Sequence, residues 1–176
     1  MRITKSQMLR ICPGAYRANL DSFVVDFNKW SGTFGVTTPL RAAHFIAQVL
    51  HESGSLRYTE EIASGKAYEW RQDLGNVQKG DGVRFKGRGY LQLTGRANYQ
   101  AYAKSKWCNG DLMSHPEWLA QSPGNMKASL WFWWKNNLNA IADRDDCKAV
   151  TRRINGGLNG YSQRAYWTRM AKKELT

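Results

Sequence analysis

The most regular stretch of this chain runs from residue 38 to residue 54 and reads Thr-Pro-Leu-Arg-Ala-Ala-His-Phe-Ile-Ala-Gln-Val-Leu-His-Glu-Ser-Gly. Its opening Thr38-Pro39 is typical of a helix N-cap followed by proline in the first turn, and Gly54 is typical of a helix end. The apolar residues between them recur at helical spacing. The stretch therefore predicts a largely apolar helix that carries one carboxylate, Glu52, near its end.

Helical patterning also covers most of the chain on either side. It predicts further helices over residues 16–30, 94–104, 122–134 and 162–173, and a short segment over residues 150–154. Six glycines and scattered charges interrupt the pattern, which predicts a long loop or small hairpin around residues 64–90. The length of 176 residues suits one domain, and no repeat or linker divides the sequence. We therefore predict a single mainly α domain over residues 1–176, with a cleft between two lobes.

The chain is strongly basic. Lysines and arginines outnumber acidic residues by 26 to 14, which gives a net charge of +12. A field of this sign favours anionic partners, and nucleic acid, the bacterial envelope and peptidoglycan all qualify. No window approaches the roughly twenty apolar residues of a membrane span, and the N-terminus lacks the apolar core of a signal peptide. We therefore expect a protein without a membrane span that folds in the cytoplasm.

Neither the cysteines nor the histidines form a metal-binding pattern. Cys12, Cys108 and Cys147 are odd in number and widely spaced, which favours buried thiols over a disulfide or a metal site. His51-Glu52 begins like the His-Glu-x-x-His zinc motif, but Ser55 stands where the second histidine is required. We therefore predict no metal and no organic cofactor.

Glu52 is the first candidate for acid–base chemistry. His44, Gln48 and Glu52 are spaced so that they lie along one side of the predicted helix. A carboxyl held there against Phe45 and Val49 would be partly desolvated, and desolvation favours the protonated form that a general acid needs. The alternative is a solvated glutamate at a helix C-terminus, where the helix dipole opposes negative charge.

Two carboxyls that face one cleft could share the acid and base steps in cleavage of a glycosidic bond. Three glutamates could supply the second carboxyl. Glu60 and Glu61 follow the predicted helix closely, and Glu69 lies in the glycine-rich stretch. In an inverting enzyme the two carboxyls lie about 6.5 to 9.5 Å apart, which leaves room for the attacking water. Adjacent glutamates point in different directions on an extended backbone, so only one of Glu60 and Glu61 could face Glu52.

Further polar residues follow the glycine-rich stretch. Thr94 could hydrogen-bond an attacking water, or it could be the N-cap of the next helix. Gln92 and Asn98 could bind sugar hydroxyl and acetamido groups. The cluster Trp131-Phe132-Trp133-Trp134 is spread around a helix, so we expect most of it in the core and one ring at most in the cleft. The basic C-terminal helix, which includes Arg164, predicts a solvated face that could also hold the protein on an anionic envelope.

Four segments carry a more specific pattern. Residues 47–54 include Ala-Gln followed by His-Glu-Ser-Gly, and residues 67–76 include Ala-Tyr-Glu-Trp-Arg and Asp-Leu-Gly-Asn. Residues 80–89 lead into Gln-Leu-Thr-Gly-Arg-Ala-Asn-Tyr at 92–99, and residues 151–160 end in Asn-Gly-Gly-Leu-Asn-Gly. In this order they resemble glycoside hydrolase family 19, the chitinase family whose bacterial and phage branch includes cell-wall-degrading endolysins.

The resemblance implies an α-helical, lysozyme-like fold and an inverting mechanism. Glu52 matches the general acid, Glu61 the second carboxylate of the endolysin branch, and Thr94 the hydroxyl that helps to hold water. The positions that match substrate-binding or cleft-organising residues are Tyr68, Gln92, Asn98, Asn155 and Arg164. Plant members have longer loops and a second glutamate farther from the first, so Glu60 and Glu69 remain alternatives to Glu61.

These features predict a peptidoglycan-degrading endolysin, a muramidase that cleaves the β-1,4 bond between N-acetylmuramic acid and N-acetylglucosamine for host cell lysis. Its expected partners are peptidoglycan and the anionic cell envelope, not nucleic acid, and its expected state is a monomer. It would stay in the host cytoplasm until a holin releases it to the cell wall. The alternatives are a chitinase that acts on N-acetylglucosamine polymers and a cationic, non-enzymatic module that binds envelope polymers or nucleic acid.

Overall fold

The computed structural model describes residues 1–176 and contains nine α-helices joined by loops and short 3-10 turns. The helices are α1 (Lys5–Ile11), α2 (Arg17–Trp30), α3 (Pro39–Glu52), α4 (Asp81–Arg84), α5 (Arg96–Ala103), α6 (Gly124–Lys135), α7 (Leu138–Ala142), α8 (Cys147–Asn155) and α9 (Tyr161–Leu175). The 3-10 turns are Ser31–Phe34, Lys66–Tyr68, Gln72–Leu74 and Pro116–Ala120. The predicted mainly α fold is confirmed.

Helix α3 forms the centre of the core. Its residues from Ala42 to Leu50 are all buried, and its N-terminus has the predicted cap, with Thr38 Oγ1 accepting from the Arg41 amide at 3.2 Å. The Phe45 ring packs edge-on against Trp133 of α6 at a centroid distance of 5.4 Å. On another side, α3 packs along α9. Because α3 is enclosed in this way, the position of its last residue, Glu52, is set by the core.

The sequence patterns locate α2, α3, α5, α6, α8 and α9 to within a few residues, but they missed α1 and α7. Helix α1 carries a local signal, since Thr4 and Gln7 form a capping box. The Gln7 amide donates to Thr4 Oγ1 at 3.1 Å and the Thr4 amide donates to Gln7 Oε1 at 2.9 Å. Helix α7 has only five residues, which is too short to show a periodic pattern.

The segment between α3 and α5 is a long loop that contains α4, and the alternative of a hairpin is wrong. Its β-bridges are isolated pairs, Glu60 with Arg88 and Arg88 with Leu93. Buried polar side chains hold the loop instead. The Asp81 side chain, 1% exposed, pairs with Arg96 at 2.5 Å and also accepts from two backbone amides of the loop at 2.9 Å each. The loop is therefore ordered by side-chain to backbone bonds, without a β-ladder.

The aromatic cluster lies mostly in the core, as predicted. Trp131 and Trp133 are buried, whereas Trp134 is 48% exposed and packs against the ring of Trp107. The three cysteines form no disulfide, and only Cys12 is fully buried, while Cys108 and Cys147 are half-buried. None of the helices combines the length and the apolar character that crossing a membrane requires.

Candidate active site

An open groove of about 280 Å³ brings together residues from the end of α3 and from the long loop. Glu52 and Glu61 both line it, as does Gln92. The remaining lining residues are Tyr58, Glu60, Ile62 and Ala63. Two of the predicted catalytic carboxyls therefore face the same space, on residues that lie nine positions apart in sequence.

A buried arginine holds Glu52. Arg164, in the first turns of α9, has no exposed side-chain surface. Its Nη2 donates to Glu52 Oε1 at 2.5 Å, its Nη1 donates to Gln48 Oε1 at 2.5 Å, and its Nε donates to the Asn159 carbonyl at 3.1 Å. The Glu52 side chain is 19% exposed, so it is not a solvated glutamate at a helix end, which was the alternative interpretation. The guanidinium also offsets the unfavourable dipole at the C-terminus of α3.

The prediction of a solvated basic face on the C-terminal helix holds for Arg169 and Lys173, which are exposed, but it is wrong for Arg164. Arg164 is buried, and Lys172 forms an ion pair with Asp145. Arg164 was matched to residues that bind substrate or organise the cleft. Because it has no exposed surface, its contacts fit only the second of these roles.

The Glu61 carboxylate is oriented by two donors. The Tyr68 hydroxyl donates to Oε1 at 2.8 Å, and the Gly87 amide donates to Oε2 at 3.1 Å. The backbone is paired at the same place, since the Glu61 amide donates to the Gly87 carbonyl at 2.9 Å. Burial, together with the adjacent Glu61 carboxylate, raises the pKa of Tyr68, so its hydroxyl stays protonated and donates. Glu61 is thus held against the loop while its side chain lines the groove.

The other two candidate carboxylates are engaged in different contacts. Glu60 also lines the groove, but its Oε1 accepts from Arg88 Nε at 2.9 Å. Glu69 accepts from the amides of Gly80 and Gly82, at 2.5 and 2.8 Å, and does not line the groove. Glu69 therefore shapes the loop, and Glu60 neutralises a largely buried arginine.

Glu61, Gln92 and Thr94 converge on Gly87. Measured from the point where a Cβ on Gly87 would lie, Gln92 Oε1 is 2.7 Å away, Thr94 Oγ1 is 3.2 Å away and Glu61 Oε2 is 3.3 Å away. A side chain at position 87 would displace the end of Gln92 and crowd the other two, so the glycine lets all three polar groups approach one point. Thr94 Oγ1 donates to the Gln92 carbonyl at 2.9 Å, and Gly95 is the N-cap of α5. Thr94 is therefore not the helix N-cap, which was the alternative interpretation.

Of the remaining predicted residues, only Asn98 contacts this cluster. Asn98 supports it, because Asn98 Nδ2 donates to the Thr94 carbonyl at 2.8 Å. Asn155 is the exposed last residue of α8 and does not line the groove. His44 lies on the same side of α3 as Gln48 and Glu52. It is fully buried, and its Nε2 hydrogen-bonds to Asp145 Oδ1 at 2.8 Å. Of these three residues, only Glu52 lines the groove.

Sequence reasoning missed Tyr58, Ile62 and Ala63, which line the groove beside the two carboxyls. Tyr58 is placed by Gly54, since a Cβ on Gly54 would lie 3.0 Å from the Tyr58 ring. The glycine that marks the end of α3 thus also leaves room for an aromatic ring in the groove. Ile62 is 78% exposed, and its neighbours in sequence gave no pattern that could assign it to a site.

No family model matches the chain, but several known proteins are similar to it. A glycosyl hydrolase family 19 domain-containing protein of Haemophilus influenzae is 29% identical over 93% of this chain and 92% of its own length. An endochitinase of Arabidopsis thaliana is 31% identical over 83% of this chain, and chitinase 4 of Oryza sativa is 31% identical over 88% of this chain. The chain spans about half the length of these plant relatives.

Solved structures share the fold. Chitinase C from Streptomyces griseus superposes with a TM-score of 0.74 and 24% identity, covering 98% of this chain and 76% of that protein. A bacterial family 19 chitinase superposes with a TM-score of 0.72 and 21% identity, covering 98% of this chain and 94% of that protein. Together with the sequence relatives, this common helical fold agrees with the motif series, and the chain therefore belongs to glycoside hydrolase family 19.

Proposed function

We propose that the protein hydrolyses β-1,4 bonds in polysaccharides that contain N-acetylglucosamine, by a single displacement with inversion. The observation that carries this proposal is the common groove of Glu52 and Glu61. A pair of carboxyls on one groove is the arrangement that glycoside hydrolysis requires, one to protonate the leaving oxygen and one to activate water.

In this mechanism Glu52 is the general acid. Its Oε1 already accepts from Arg164, so the proton must sit on Oε2, which has no hydrogen-bond partner within the protein. Transfer of that proton to the glycosidic oxygen leaves a carboxylate, and the Arg164 guanidinium stabilises the new negative charge. Gln48 shares the same guanidinium and restrains its orientation.

Glu61 is the general base, and Thr94 helps to hold the water. The Tyr68 hydroxyl and the Gly87 amide occupy one lone pair on each Glu61 oxygen and leave the others available to a water molecule. Thr94 Oγ1 and Gln92 Oε1 lie on the same side of Gly87 as Glu61 Oε2. A hydroxyl, an amide oxygen and a carboxylate grouped in this way can fix both the water and an acetamido group.

Chitin-like polymers of N-acetylglucosamine are the substrate that the relatives favour, because the plant relatives named above are an endochitinase and a chitinase. Peptidoglycan is the second candidate, and the specific observation in its favour is the net charge of +12. A neutral polymer gains nothing from that charge, whereas an anionic envelope does. In this second case the protein would act as an endolysin, kept in the host cytoplasm until a holin admits it to the cell wall.

The test is digestion of chitin oligosaccharides and of purified peptidoglycan by wild type, Glu52→Gln and Glu61→Gln. NMR of the first product anomer reports inversion, and borohydride reduction with mass spectrometry identifies the new reducing sugar. We expect both variants to lose more than about 99% of activity, as general acid and base groups contribute roughly 100- to 10,000-fold. Reduced N-acetylglucosamine from chitin supports the first substrate, and reduced N-acetylmuramic acid from peptidoglycan supports the second. Full activity in either variant would refute the assigned mechanism.

A further inference from the structure

A second hollow, of about 550 Å³, lies between α7 and α8. None of its lining residues lines the groove of Glu52. Arg144 contributes to it from the turn after α7, and Arg152 and Arg153 contribute from the last turn of α8. The rest of the lining is Asn137, Ala140, Ile141 and Ala149, so the hollow contains three cationic side chains and no acidic one.

The three guanidinium groups have no carboxylate partner. Arg153 Nη1 reaches the Asn136 carbonyl at 3.4 Å, and Arg144 and Arg152 make no side-chain hydrogen bond within the protein. All three residues are exposed, and their like charges around one hollow repel each other. The site is therefore electrostatically prepared for an anion.

The aspartates nearest in sequence are committed to other contacts. Asp143 forms an ion pair with Arg41 at 2.6 Å. Asp145 bonds His44 and Lys172, and Asp146 Oδ1 accepts from the Ala149 amide at 2.9 Å as the N-cap of α8. None of these three aspartates forms an ion pair with Arg144, Arg152 or Arg153, and none lines the hollow.

The geometry points to phosphate as the ligand chemistry. Guanidinium groups bind phosphate and carboxylate oxygens in pairs, and a phosphate has enough oxygens to satisfy three of them at once. A hollow of about 550 Å³ falls within the size range of small-ligand sites, so it has room for a phosphate and the sugar or polyol that carries it. We propose that the hollow between α7 and α8 is a second binding site that holds phosphate groups of an anionic envelope polymer while the groove acts on the glycan.

The test compares two pairs of substitutions that remove the same charge. The double variant Arg144→Gln/Arg152→Gln alters the hollow. The control, Arg17→Gln/Lys104→Gln, removes two exposed cations that lie outside the hollow and form no ion pair. The probes are inorganic phosphate and glycerol phosphate, measured by calorimetry, and cell-wall sacculi with and without their phosphate-bearing polymers, measured by co-sedimentation. We expect the first pair to weaken binding at least about tenfold and the second less than about twofold, because two bidentate contacts are lost only in the first.

Arginine labelling by phenylglyoxal supplies an independent measurement. Phosphate should slow the modification of Arg144, Arg152 and Arg153 and leave Arg17 unaffected. Equal weakening in both pairs, or no protection by phosphate, would show diffuse surface charge and overturn the proposal. Binding to phosphatidylglycerol vesicles that exceeds binding to the sacculi would assign the site to lipid headgroups and overturn the polymer assignment. Phosphate binding requires no hydrolysis, so its outcome is separate from that of the proposed glycosidase activity. Circular dichroism and urea denaturation show that both double variants are folded.

Discussion

Replacing Arg164 by methionine should lower kcat by about a hundredfold and leave KM nearly unchanged. The guanidinium orients Glu52 from behind and has no exposed surface with which to touch a substrate. Without it, the Glu52 carboxyl loses its 2.5 Å contact and is free to rotate at the end of α3. A displacement of about 1 Å at a reacting group costs roughly a hundredfold in rate.

The same substitution should also destabilise the fold. Arg164 donates to Glu52, to Gln48 and to a backbone carbonyl. Removing one partner of a buried ion pair costs about 3 to 5 kcal/mol. Because the Glu52 side chain is still 19% exposed, solvent screening places the expected loss near the lower limit, at about 3 kcal/mol. Urea denaturation measures this loss, and circular dichroism shows at which temperature the variant is folded for kinetics.

Two companion variants separate orientation from folding. Arg164→Lys keeps the charge but lacks the planar fork that serves Glu52 and Gln48 together, so we expect intermediate kcat and an altered pH profile of kcat. Arg169→Met is the matched control on α9, where the side chain is exposed and only covers the Tyr166 ring at 5.5 Å. Its kcat and stability should stay close to wild type. A folded Arg164→Met protein with wild-type kcat and pH profile would refute the positioning role.

Three further predictions follow from single contacts. Tyr68→Phe removes the hydroxyl that donates to Glu61 at 2.8 Å, so kcat should fall about tenfold with little change in stability, and unchanged initial rates would contradict this. Asp81→Asn removes the charge of a carboxylate that is 1% exposed and accepts from Arg96 and two loop amides, and it should cost about 2 kcal/mol in urea denaturation, whereas Asp73→Asn at an exposed ion pair should leave the midpoint nearly unchanged. Burial lowers the pKa of His44, so below the ordinary imidazole pKa of about 6.5 the unfolded chain binds a proton that the folded chain rejects. Stability should therefore fall between pH 7 and pH 5, and His44→Gln should flatten that dependence in denaturation curves; an equally steep curve would assign the effect to other groups.

Local patterns were sufficient for most of the helical architecture. In α3 the capping threonine, the proline in the first turn and the apolar spacing all act within the helix itself, so its bounds could be predicted closely. The long loop was also predictable, because its glycines interrupt the helical pattern. The contacts inside the loop could not be predicted from the sequence. For example, the ion pair between Arg96 and Asp81 forms only because the loop folds back on itself.

The sequence by itself determined the helix that carries Glu52, the family to which the chain belongs and the short list of carboxylates. Only the tertiary structure showed which donors each of these carboxylates has. Glu60, Glu61 and Glu69 bond to different donors, and their local sequence patterns do not reveal this difference. It also decided that Arg164 lies buried behind Glu52 and that Arg144, Arg152 and Arg153 share a hollow. Arg164 and Glu52 are 112 positions apart and meet because α3 packs along α9, and helix packing of this kind has no signature within either helix alone.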